Sequence, residues 1–254
     1  MSQDVCRVEW WGHSTVAVEM AGVRLLTDPL LTARAVHLLR AARPVPDAAL
    51  AADAVLISHF HMDHLHLRSL RRLGPRWLIG PPGLAALTAG LDARVTEVEP
   101  SDEVMVGALR VRAVPADHEG RRTPWGAYAP PLGFVIDGPR RVYFAGDTDL
   151  FDGMRALGRL GLDVALLPVW GWGSSLGRGR HLDPHRAARA AAWLHPRVAV
   201  PIHWGTYAAA WALRGPPPSF LTRPARDFAA HAAELAPRVR VVRLRPGGAP
   251  LRVG

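Results

Sequence analysis

The sequence contains no lysine and no asparagine, a single cysteine (Cys6), and no apolar run near the roughly 20 residues a membrane-spanning helix needs. One cysteine excludes an intrachain disulfide framework and any zinc site built on several thiolates. The opening residues, MSQDVCRVEWWG, lack a basic stretch followed by an apolar one, so no export signal is expected and the cytoplasm is the expected location. Without lysine, all 31 basic residues are arginines, and against 22 acidic residues they give a formal net charge of +9. The missing lysine and asparagine, together with abundant alanine, are what GC-rich codons produce across several residue types at once. The arginines are also spread along the chain, with only short pairs such as Arg71-Arg72, Arg121-Arg122 and Arg140-Arg141. Nucleic acid is therefore not expected as a partner.

What is present is globular: 254 residues, 49% of them hydrophobic, with 24 glycines and 23 prolines scattered without a period. One domain over residues 1–254 is the simplest reading. Apolar or alternating runs predict strands at Val5–Trp10, Thr15–Met20 and Val23–Thr27, separated by turn-formers. Helical spacing predicts a helix over Thr32–Ala42. Ala54–Ser58 reads as a strand buried on both faces, and Leu67–Leu73 as a helix closed by Gly74-Pro75. A strand at Trp77–Ile79 and a helix from Pro82 follow. Further strands are expected at Arg94–Val98, Glu103–Val106, Leu109–Val114, Gly133–Ile136, Val142–Ala145, Asp163–Val169, Val198–Ile202 and Val239–Leu244. Pro184–Leu194 is an alanine-rich helix capped by Asp183, and Ala225–Leu235 is a second late helix. Strands mixed with helices imply stacked layers, sheets inside and helices outside.

The chemistry concentrates in Ser58-His59-Phe60-His61-Met62-Asp63-His64. In extended chain, residues two apart point the same way, so His59 and His61 can reach one metal ion. Asp63 and His64, where the chain turns into the next helix, can point toward a second. Imidazole and carboxylate together suit zinc or a related divalent ion, whereas calcium and magnesium favour oxygen ligands.

Three later segments, Val114-Pro115-Ala116-Asp117-His118, Phe144-Ala145-Gly146-Asp147-Thr148 and Pro201-Ile202-His203-Trp204-Gly205-Thr206, each end a predicted strand. In this order, with H-x-H-x-D-H before them, they make the chain resemble the metallo-β-lactamase fold superfamily of hydrolases over nearly its whole length. The resemblance implies an α/β fold, a four-layer αββα sandwich with metals at one edge of the two sheets. It implies two zinc ions per chain, although manganese or iron could take the same ligands. One would be held by His59, His61 and His118, the other by Asp63, His64 and His203, with Asp147 bridging. Trp11-Gly12-His13-Ser14-Thr15, Leu26-Thr27-Asp28-Pro29 and His181-Leu182-Asp183-Pro184 add a likeness to the branch containing N-acyl phosphatidylethanolamine phospholipase D and ascorbate-phosphate lactonases. That branch often carries an acid two residues after the last motif histidine. Here the position is His66, which puts a supporting carboxylate in question.

The expected activity is metal-dependent hydrolysis, a metal-bridging hydroxide attacking a small anionic ester, either a phosphodiester or a lactone. Two divalent ions, two aspartates and a hydroxide leave the centre positive, and the expected substrate is small and anionic or lipid-like. Asp63 and His181 are the expected catalytic residues, His181 meeting a substrate oxygen or leaving group near a helix start. A nuclease of the same fold is the nearest alternative, but no inserted domain or basic arm is evident. A non-catalytic binding protein is the other, and it would ordinarily have lost ligands. His13 reads either as a site residue or as a turn anchor, and Asp28 either as a carboxylate supporting a ligand or as a plain turn residue. Tyr207 could face the site. Trp170 and Trp172 could wall an apolar pocket or belong to the core. His37, His185, His195 and His231 fall on predicted helices, facing solvent. Substrate choice is expected in the loops Ala33–Pro46, Gly120–Pro131 and Trp170–Gly179.

Overall fold

Successive residues of the buried strands go to opposite sides of their sheets, as a two-residue period requires. In a computed structural model, Leu25, Ala54 and Leu56 face one core while Leu26, Val55 and Ile57 face another. Val164 and Leu166 likewise enter the first core, and Ala165 and Leu167 a third. Such strands can be apolar throughout only if both faces are covered, so the layers follow: helix, sheet, sheet, helix. The structure describes residues 5–121, 123, 125–170 and 181–254.

One seven-stranded sheet has the spatial order Leu251–Val253, Cys6–Gly12, Thr15–Met20, Val23–Thr27, Ala54–Leu56, Trp77–Gly80, Arg94–Glu97. The other runs Arg240–Val241, Val198–Ile202, Val164–Pro168, Arg141–Phe144, Leu132–Asp137, Leu109–Pro115, Glu103–Val106. Each begins in sequence as an antiparallel meander and continues with parallel strands. The core between the sheets includes Trp10, Val18, Leu56, Phe134, Phe144, Leu166 and Val200. Cys6 is buried there too, its thiol pushed up to about 12 by burial, with the Asp163 carboxylate adding to the effect.

The outer helices are laid down as their sequences require. Pro184–Leu194 starts on Asp183, whose carboxylate accepts from Arg186 N–H at 2.8 Å, with Pro184 in the first turn. Its buried Ala187, Ala188, Ala190 and Ala191 form a small-residue face that packs on the sheet and on the Pro224–Leu235 helix. Leu67–Leu73 ends at left-handed Gly74. Among the described residues, no helix is long and apolar enough to cross a membrane.

The helix expected over Thr32–Ala42 is instead a small hairpin, Arg34–Ala35 and Leu38–Arg40, the latter pairing with Tyr207–Ala208. Two things override the helical spacing. Val36 turns the chain at φ +52, and Arg40 gives its guanidinium protons to the carbonyls of Trp11, Leu30 and Arg43 and to the Tyr207 hydroxyl. The acceptors on Trp11, Leu30 and Tyr207 lie on separate segments and are met by an extended one. His37 consequently sits exposed in that turn rather than on a helix, and His195 is the exposed left-handed cap of its helix. The last strand expected, Val239–Leu244, contracts to Arg240–Val241, and Leu251–Val253 is an additional edge strand.

Candidate metal centre

The candidate ligands leave the ends of neighbouring strands at one edge of the two sheets. Ala54–Leu56 runs into His59, Leu109–Pro115 into His118, Arg141–Phe144 into Asp147 and Val198–Ile202 into His203. The turn after Cys6–Gly12 adds His13. The sheets meet closely here: Leu132 N–H donates to Ser58 O at 2.9 Å, and a Cβ on Gly146 (φ +61) would lie 2.8 Å from both Leu132 O and Ser58 Cβ. His13, Asp28 and His203 adopt φ of +51°, +33° and +60°. For residues with a Cβ that conformation costs about 1–3 kcal/mol each and persists only where neighbours fix it. Here His13 N–H donates to Thr206 Oγ1 at 2.8 Å, His203 N–H to His13 O at 2.9 Å, and Asp28 N–H to Leu56 O at 2.9 Å.

Among the described residues the donor atoms gather in overlapping groups, two of which lie side by side and are linked to Asp147 through a third, His118, Asp147 and His181. His61 Nδ1 lies 2.9 Å from His59 Nε2 and 3.1 Å from His118 Nε2. Beside them, donor atoms of His13, Asp63, His64 and His203 lie within 4.8 Å of one another. Asp147 stands at the junction, its Oδ2 3.2 Å from His64 Nε2 and 3.0 Å from His181 Nε2, and its Oδ1 3.3 Å from His203 Nε2. The structure thus brings together all seven residues that the resemblance implied, and places His13 and His181 among them.

Three of the imidazoles are held from behind. Asp28 is fully buried: its Oδ1 accepts from Ser58 N–H at 2.8 Å, and its Oδ2 from Ser58 Oγ at 2.5 Å and from His64 Nδ1 at 2.7 Å. The Ser58 hydroxyl in turn accepts from His59 Nδ1 at 2.9 Å. Trp170 O accepts from His203 Nδ1 at 2.6 Å. With a proton on each Nδ1, the Nε2 lone pairs of His59, His64 and His203 turn inward, the state a metal ligand needs. Asp28 therefore resolves as the supporting carboxylate. His66 instead caps the Leu67–Leu73 helix, its Nδ1 accepting from Ser69 N–H.

The centre fits divalent metal. Asp147 Oδ1 and His64 Nε2 are buried and make no hydrogen bond among the described residues. Asp147 Oδ2 and the His64 Nε2 lone pair, 3.2 Å apart, repel unless a cation or proton lies between them. The protonation pattern of the metal-free site says the same. Burial alone would depress His64, but the carboxylates of Asp147, Asp63 and Asp28 hold its pKa well above the usual histidine range. His203 is raised against burial by Asp147. Burial would raise Asp63 and Asp147, yet neighbouring His64 for the first and His203 for the second, with further imidazoles, hold both well below the carboxylate range. Burial takes His13 down to about 3, reinforced by His203, and lowers His59 and His61 with His64 adding to the effect. At His64 and His203 the metal-free site thus keeps protons where a cation would sit.

His181 follows residues 171–180, which lie outside the described residues, as does Trp172. Its backbone is fixed through Leu182 N–H to Thr148 O, and Thr148 Oγ1 accepts from Asp117 N–H, so three site loops are tied together. Tyr207 does not present its hydroxyl to the metal donors: that group donates to Thr32 O at 2.7 Å and Leu30 O at 3.2 Å. Trp170 stacks on Phe220, rings parallel within 7°. His185 is exposed on its helix, and His231 is half-buried with its ring 5.2 Å from that of His185. Ser58 and the Trp170 carbonyl are the supporting groups that sequence reasoning missed. Ser58 directly preceding the motif was the one available signal.

Known proteins share this chain's family and fold. A family model described as a beta-lactamase superfamily domain matches residues 23–204. A UPF0173 metal-dependent hydrolase of Methanopyrus kandleri is 34% identical over 249 residues, covering 95% of this chain and 97% of its own. Among solved structures, Igni18, a metallo hydrolase of Ignicoccus hospitalis, superposes with a TM-score of 0.74 at 24% identity, covering 98% of this chain and 99% of that one. An isothiocyanate hydrolase from Delia radicum gut bacteria superposes with a TM-score of 0.71 at 18% identity, covering 96% and 98%.

Proposed function

Since the chain belongs to the beta-lactamase superfamily of metal-dependent hydrolases, we propose that it is a dinuclear hydrolase of small anionic esters, either phosphodiesters or lactones. The observation carrying this reading is the convergence of two donor groups on Asp147, whose Oδ1 is buried with no hydrogen bond among the described residues. His59, His61 and His118 would hold one ion, and Asp63, His64 and His203 the other, with Asp147 between them. Zinc is the first choice for these donors, with manganese or iron as substitutes. Ions of this type, when bound, lower the pKa of water to about 7 and polarise a phosphoryl or carbonyl oxygen.

The chain's own residues do the rest. Two divalent ions outweigh the Asp63 and Asp147 carboxylates, so the centre favours an anionic group. Asp28, Ser58 and the Trp170 carbonyl keep the imidazoles aligned. His181 gives Nε2–H to Asp147, and its Nδ1 is buried with no hydrogen bond among the described residues. From this position beside Asp147, His181 would meet a substrate oxygen or the leaving group.

The test is turnover of a chromogenic phosphodiester and a chromogenic lactone by protein loaded with zinc or manganese, beside Asp63→Ala, with metal counted by mass spectrometry. Two ions per chain and turnover lost in the variant are expected. Two ions with neither substrate turned over would overturn the substrate class, and a single ion would overturn the dinuclear reading.

A further inference from the structure

We propose that His13 is a positioning residue for the second metal position, its Nε2–H fixing the carboxylate of Asp63 while its backbone fixes His203. This rests on the dinuclear reading above. His13 is 2% exposed, and its Nε2 lies 3.0 Å from Asp63 Oδ2, across 50 residues of sequence. Among the described residues, no other side chain hydrogen-bonds the Asp63 carboxylate. A carboxylate that must serve a metal through one lone pair can rotate about its terminal bond, and a donor held on Oδ2 stops that rotation.

The donor itself is held firmly. His13 N–H donates to Thr206 Oγ1 at 2.8 Å, and His13 O accepts both Trp10 Nε1–H at 2.8 Å and His203 N–H at 2.9 Å. The rings of His13 and His203 have centroids 4.0 Å apart, and Trp10 stacks on Trp204 at 5.4 Å. Gly12 lets the turn come this close, since a Cβ there (φ +103) would lie 2.6 Å from Thr206 Cγ2. The left-handed backbone of His13 is therefore part of a clamp between the first hairpin and the segment carrying His203. One residue reaches Asp63 with its side chain and His203 with its carbonyl.

The experiment titrates metal-free parent, His13→Ala and His13→Gln with cobalt(II), following heat and the cobalt absorption spectrum. His13→Ala is expected to keep the first ion at parental affinity and to bind the second roughly 10–100-fold more weakly. His13→Gln offers an amide N–H to Asp63 and no imidazole, and is expected to recover most of that loss. Parental affinities in His13→Ala would overturn the proposal. So would a His13→Gln as weak as His13→Ala with an altered cobalt spectrum, because His13 would then itself be a ligand. A parent that takes up only one ion sinks the dinuclear reading, and the His13 contact is then judged in metal-free protein by imidazole nitrogen NMR. A His13 Nε2–H signal displaced in Asp63→Ala upholds the contact, and an unmoved signal overturns it.

Discussion

His64 Nδ1 lies 2.7 Å from Asp28 Oδ2, 36 residues away in sequence, and both side chains are wholly buried. Asp28 also accepts two hydrogen bonds from Ser58, whose hydroxyl supports His59. One carboxylate thus stands behind a ligand from each donor group. In Asp28→Asn the amide nitrogen would face a ring of donors, leaving at least one unpaired at a cost of about 1–3 kcal/mol. Metal affinity should fall roughly 10–100-fold with it. Chemical denaturation and metal titration of the variant check both numbers, and unchanged affinity would show that His64 aligns without Asp28.

The metal-free protein should be most stable near pH 6.5, the ordinary histidine value. Below that, the unfolded chain protonates His13, His59 and His61, which the fold keeps depressed, so stability falls as pH drops. The contribution of Asp63 and Asp147, held low in the fold, is present above about pH 4 and is lost on further acidification. Above pH 6.5 the sign reverses. His64 and His203, raised in the fold, hold protons that the unfolded chain has released, and that stabilisation is lost as pH rises through their folded values. Bound metal replaces those protons, so the alkaline decline should disappear in loaded protein. Melting temperatures of both forms across this range test the prediction, and an alkaline decline that persists with metal bound would contradict it.

The motif in residues 58–64 was legible as a local pattern of ligand spacing after a buried strand, whereas His118, Asp147 and His203, at the ends of predicted strands, were singled out by the family resemblance. Also legible as local patterns were the Pro184–Leu194 helix with its Asp183 cap and the Leu67–Leu73 helix with its glycine stop. The supporting contacts were not. Asp28 with His64, His13 with Asp63 and His203 with Trp170 O join segments more than 30 residues apart, and no local period encodes them. The segment over residues 32–42 failed for the same reason in reverse. Its local spacing suits a helix, but Arg40 bonds to acceptors on other segments, at Trp11, Leu30 and Tyr207, and those contacts decide the conformation.

Gly146 provides a test of how closely the two sheets must approach for the site to form. Its Cβ would meet the Leu132 carbonyl oxygen and Ser58 Cβ, each at 2.8 Å, and its φ is +61. Gly146→Ala should lose about 1 kcal/mol to the left-handed backbone and more to crowding, about 2–4 kcal/mol in all. Gly22, at φ +75 with nothing within 4 Å, supplies the control: alanine there should cost only the backbone part, about 1 kcal/mol. The excess at Gly146 measures the crowding. Because the atoms in the way belong to Leu132 and Ser58, relief comes by moving these away from the Gly146-Asp147 turn. The Gly146 variant should therefore also bind metal more weakly, whereas the Gly22 variant should bind it as the parent does. Equal losses of stability at the two positions, with metal binding intact in both, would mean that the sheets can separate here without disturbing the donors.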